Sequence, residues 1–129
     1  MLEQALAAMK SRPDPDRRGL FFVTLNLGIM CREAGRRDEA MTLLREALGM
    51  AKAQRGPDHP ETLLAMHNLA VSFVQAHRLD EAIPLFAEVV RLRKATLLPD
   101  HPDTLASIDG LVDADLAAGR WPEAEAAAR

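Results

Sequence analysis

His59 and His101 stand 42 residues apart in nearly the same words, GPDHPETL at 56–63 and LPDHPDTL at 98–105. Imidazole is a common metal ligand and general base, so a recurring histidine is the first place to look for chemistry. A zinc or catalytic centre needs several ligands gathered in space, and no cysteine or nearby second histidine accompanies either one. His67 with Asp109 and Asp113 could imitate a triad or a metal site, yet no Ser or Cys nucleophile has a placed base. The single cysteine, Cys31, falls on an apolar stripe beside Leu27 and reads as a small core residue. No glycine-rich phosphate loop is present. The expectation is a chain with no catalytic residue, no cofactor and no metal.

The recurring loop therefore asks for a structural explanation. A proline fixes φ and keeps the residue before it out of a helix. Pro57 and Pro60 would stop one helix and restart another at a set angle, with Asp58 or His59 capping the new one.

The repeat extends well beyond the loop. Leu27, Leu69 and Leu111 are 42 apart, as are Ala34, Ala76 and Ala118. GRRDEA (35–40), HRLDEA (77–82) and GRWPEA (119–124) fall in the same register. A fixed period of roughly 20–50 residues is the signature of stacked supersecondary units. Within one unit, Leu63, Met66, Leu69, Ala70, Phe73 and Val74 recur at three and four, which is one face of a helix. Ala82, Leu85, Phe86, Val89 and Val90 form a second stripe, and the turn of about three residues between them makes the two helices antiparallel neighbours. Asp80 is the expected N-cap of the second helix, and Pro84 is tolerable because it lies near the start.

The spacing predicts helices near 18–34, 38–54, 61–76, 102–118 and 122–129, with the second helix of the middle unit following its cap at Asp80. Residues 2–10 align with the second helix of a unit, which makes about seven helices. The organisation expected is a B helix with linker over 1–16, full units over 17–58 and 59–100, and a partial unit over 101–129. The third copy has Gly110 where Asn26 and Asn68 stand. It also has Asp115 where Cys31 and Phe73 stand, so that unit is expected to be partly wet or open on one face.

Composition agrees with an all-α chain. Of 129 residues, 48% are hydrophobic and only 4% aromatic, which argues against disorder and favours thinly packed helices over a sheet core. The net charge of −3 does not suggest nucleic acid, and Arg17, Arg18, Arg36 and Arg37 lack interleaved aromatics. One cysteine rules out an internal disulfide. No apolar run reaches a membrane span, and the N-terminus lacks a signal-peptide layout, so a cytoplasmic location is expected.

The pattern resembles the tetratricopeptide repeat (TPR) family in its 42-residue, kinesin-light-chain-like variety. The residues that carry the likeness are Leu27-Gly28-Cys31 with Gly35 to Ala40, Leu69-Ala70-Phe73 with His77 to Ala82, and the Gly56–Pro60 and Leu98–Pro102 loops. The resemblance implies a right-handed α-solenoid of antiparallel helix pairs whose concave face, lined by the first helix of each pair, takes an extended peptide. Register then assigns Asn26, Leu25, Ile29, Leu64, His67, Asn68, Val71, Asp109 and Asp113 to peptide binding. The two asparagines would hold the peptide backbone, since an amide both donates and accepts. Leu25, Leu64 and Val71 would take apolar side chains, and Asp109 with Asp113 a basic one. The function expected is a protein-interaction module scaffolding an assembly. The alternative is a sensor or regulatory arm packing on a neighbouring domain of a larger protein. The apolar stripes at Leu2, Leu6, Met9, Leu111, Leu116 and Trp121 would support a homodimer through the cut repeat ends.

Overall fold

The computed structural model describes residues 17–98 and 100–119. They form five helices: α1 (Arg17–Glu33), α2 (Arg37–Arg55), α3 (Pro60–Gln75), α4 (Leu79–Thr96) and α5 (Pro102–Ala117). Their boundaries lie within about two residues of those read from the sequence. No strand occurs among the described residues. The two further helices expected over 2–10 and 122–129 lie outside the described residues. No described helix is long and apolar enough to cross a membrane. The chain divides into two compact units between Ala65 and Met66, with α3 beginning in the first and continuing into the second.

In the first unit α1 and α2 form a hairpin. Its turn is closed by the Arg36 N–H donating to the Cys31 carbonyl (2.8 Å), with Gly35 left-handed at φ 81°. That six-to-one bond past a left-handed residue is how a helix satisfies its last carbonyls. Leu27, Cys31 and Ala40 are buried together, with Leu20, Val23 and Leu43 against them. Gly28 marks the close approach of the two helices: a Cβ there would stand 2.9 Å from Leu44 Cγ.

The recurring loop begins where α2 ends. Gly56 is left-handed at φ 97°. Its carbonyl accepts from the Thr62 hydroxyl at 2.7 Å, and Arg55 pairs with Glu61 at 3.5 Å. His59, not Asp58, caps α3: its Nδ1 accepts from the Glu61 N–H at 3.0 Å. His101 repeats the contact on α5, accepting from the Asp103 N–H at 3.1 Å. A ring nitrogen thus does the work usually given to a Ser or Asp oxygen, satisfying one of the four amides a helix start leaves open.

The second unit contains the later part of α3 together with α4 and α5. Ala70, Ile83, Phe86, Val90, Leu111 and Ala114 make its core, with Val71, Val74, Leu79, Leu85 and Ile108 packed around it. The turn before α4 repeats the earlier one, with the Arg78 N–H on the Phe73 carbonyl (2.8 Å), but here His77 occupies the left-handed position at φ 57°.

Three expectations change. Asp80 is not the N-cap: α4 starts at Leu79 behind Arg78, with no side-chain cap, so Asp80 and Glu81 fall in the first turn. There they complement the helix dipole instead. Asp115 is 2% exposed, so the third copy is not wet at this position. Leu111 is likewise buried, against α4, and Leu116 is half-buried, so neither offers a bare apolar stripe. Leu2, Leu6, Met9 and Trp121 of that expectation lie outside the described residues.

Candidate functional site

The residues assigned to a peptide face separate into accessible and inaccessible sets. Asn26 on α1 is exposed and Ile29 half-buried. Leu25 is 2% exposed, so it is part of the interior and offers nothing to a ligand. Register misplaces it because its counterpart 42 residues later is His67, a polar residue that reaches the surface. Leu64 on α3 is half-buried. Asn68 is 8% exposed, leaving only an edge of its amide to solvent. Val71 is half-buried, and Asp109 and Asp113 are exposed.

The second unit brings part of this set together. Val71, Val74 and Gln75 of α3, Phe86 of α4, and Gly110 and Asp113 of α5 line one cleft of about 170 Å³. Phe86, 1% exposed, closes its floor. Gly110 is needed here because a Cβ would lie 2.5 Å from Phe86 Cε1, so the ring packs directly on the α5 backbone. The glycine that replaces Asn26 and Asn68 in the third copy is thus explained by an aromatic ring from the preceding helix.

A polar chain lies next to the Phe86 ring. The His67 ring meets Phe86 edge-on, with centroids 5.5 Å apart. His67 Nδ1 lies 3.1 Å from Ser107 Oγ. Arg93 Nη1 donates to Ser107 Oγ at 2.7 Å and to the Asp103 carbonyl at 2.9 Å. Ser107 accepts from Arg93, and the direction of its bond with His67 Nδ1 follows the imidazole tautomer. Burial pushes the Arg93 guanidinium below its usual range, and the nearby Asp103 carboxylate draws it partly back. The group still stays charged, as guanidinium does in proteins.

This Ser–His pair is not arranged for catalysis. Ser107 is fully buried, and its oxygen already holds a cation's hydrogen bond. Among the described residues, no three His, Cys, Asp or Glu side chains gather where a metal ion could sit. Cys31 is buried and free.

Sequence reasoning missed Arg93 and Ser107. A signal existed: Arg93 falls one turn beyond Val89 and Val90 on the α4 apolar stripe, where a cation is out of place. The two positions 42 residues earlier are Ala51 and Ala65, both buried, so the pair changes together between copies.

Comparison with known proteins bears on what such helices do. The tetratricopeptide repeat family model matches residues 22–95 and 70–129. No curated protein matches the chain. Among solved structures, it is similar to the kinesin light chain nearly identical TPR-like repeats of Podosopora anserina, at 27% identity and a TM-score of 0.90, over 98% of this chain and 60% of that one. A variant form of that protein aligns at 27% identity and a TM-score of 0.78, over 98% and 59%. BtubC (BKLC) from P. vanneervenii shares the fold at 18% identity and a TM-score of 0.61, over 98% and 67%. The chain thus spans about 60% of the length of the first two structures.

Proposed function

This chain belongs to the tetratricopeptide repeat family, a protein-interaction fold, and from that premise we propose that it binds an extended peptide segment on the faces of its first helices and so scaffolds an assembly. The observation that carries the reading is the cleft on α3 and α5, where Val71, Gln75, Gly110 and Asp113 meet over Phe86. An extended segment on helix faces gains affinity from its main chain and selectivity from pockets for its side chains. The exposed Asn26 amide suits the first task, because it can donate to a peptide carbonyl and accept from a peptide N–H. Half-buried Ile29, Leu64 and Val71 suit the second.

The test is a peptide-array screen with the purified chain, followed by the Asn26→Ala/Asn68→Ala double variant measured calorimetrically against the best peptide. Binding should weaken by roughly 1–3 kcal/mol, the cost of leaving peptide groups unpaired. Unchanged affinity in a variant that stays helical by circular dichroism would move the binding surface elsewhere.

A further inference from the structure

We propose that the cleft between α3 and α5 is a subsite for one lysine or arginine side chain of a bound peptide, an inference that rests on the peptide-binding reading above. The cleft has the two characters such a side chain needs. Val71 and Val74 give it apolar walls over the Phe86 ring, while Gln75 and the Asp113 carboxylate give it a polar rim. A long cationic side chain lays its methylenes on apolar surface and carries its charge out to a polar edge. An acidic side chain would meet Asp113, and a purely apolar one would leave that carboxylate facing carbon.

The charges of α5 give a second, separate reason. The helix contains Asp103, Asp109, Asp113 and Asp115 and no Lys or Arg. Asp109 and Asp113 are both exposed and sit one turn apart on one face. Like charges at that spacing destabilise a helix, and carboxylates towards a C-terminus oppose its dipole. Neither is joined to a cation in an ion pair among the described residues. Helix stability disfavours this arrangement, and an incoming cation relieves it. The Arg93–Ser107–His67 chain ties α3, α4 and α5 to one another.

The experiment uses matched short peptides in an Ala/Ser background, each with a single Lys, Arg, Leu or Glu at its centre. Binding is read by fluorescence anisotropy at low and high salt. The Lys and Arg peptides should bind tightest, and added salt should weaken them selectively. Asp113→Asn, an isosteric change at an exposed site, should remove most of that preference, weakening the Lys peptide roughly fivefold or more while leaving the Leu peptide unchanged. A preference for Glu or Leu, or a Lys preference that survives Asp113→Asn, would overturn the subsite while leaving peptide binding intact. Failure of every peptide to bind the folded chain would overturn both.

Discussion

Arg93 Nη1 stands 2.7 Å from Ser107 Oγ in the interior of the second unit, a cation and a hydroxyl placed where the preceding copy has Ala51 and Ala65. Arg93 is 5% exposed and Ser107 fully buried. Such a pair specifies more than it stabilises. Two methyl groups serve the same positions 42 residues earlier, and replacing a buried polar pair by apolar groups of fitting shape is often neutral.

That comparison leads to a double-mutant cycle. Ser107→Ala should cost about 1–3 kcal/mol, because it removes a partner from a buried guanidinium. Arg93→Ala leaves Ser107 short of a donor and opens a cavity. The Arg93→Ala/Ser107→Ala double variant, which recreates the Ala51/Ala65 pairing, should lose clearly less than the sum of the singles. Urea unfolding followed by circular dichroism checks this, and strict additivity would mean that the two residues act independently.

The histidine caps give a second prediction. His59→Ala and His101→Ala should each cost about 0.5–2 kcal/mol, since each leaves an N-terminal amide without its Nδ1 acceptor. His59→Asn and His101→Asn should recover most of that loss, because the asparagine oxygen can take the same amide. If Asn were as damaging as Ala, the histidines would matter for packing and not for capping.

The two loops differ at one point that yields a third. Thr62 donates to the Gly56 carbonyl at 2.7 Å, whereas Thr104 Oγ1, equally buried, has no hydrogen-bond partner among the described residues. The residue matching Gly56 is Leu98, which does not take the left-handed backbone that Gly56 adopts. A left-handed Leu would cost about 1–2 kcal/mol, so the second loop forgoes the bond. Thr62→Val should therefore destabilise by about 1 kcal/mol, while Thr104→Val should be neutral or mildly stabilising. Thermal unfolding of the two isosteric variants separates these outcomes.

Most of the fold was legible in the sequence because three copies could be aligned on one another. The 42-residue register located α1 to α5, both proline loops and the turns at 35, 77 and 119, whose left-handed backbone the structure adds. Register failed where copies had diverged. It treated Leu25, His67 and Asp109 as equivalents, yet one is interior, one is bonded to a buried serine and one is exposed. It also named Gly110 as a missing asparagine. What decides that position is the Phe86 ring, a packing partner outside the periodicity of α5. Single-helix patterns carry which face is buried, but not which side chain from a neighbouring helix arrives there.

The turn before α4 provides the last prediction. Gly35, His77 and Gly119 occupy the same place in three successive turns, all at positive φ, and only His77 carries a Cβ there. Histidine tolerates this conformation better than branched residues, but it is still strained relative to glycine. The turn is held nonetheless by the Arg78 N–H on the Phe73 carbonyl at 2.8 Å and by the Arg78 guanidinium 5.3 Å over the Phe73 ring. His77→Gly relieves the strain but also loosens the unfolded chain, which offsets part of the gain. The net result should be a stabilisation of about 0.5–1 kcal/mol. The reverse change at the matching turn, Gly35→His, should cost about 1 kcal/mol or a little more. A loss of stability in His77→Gly, with the Gly35→His variant unaffected, would show that the imidazole makes a contact worth more than the backbone strain it imposes.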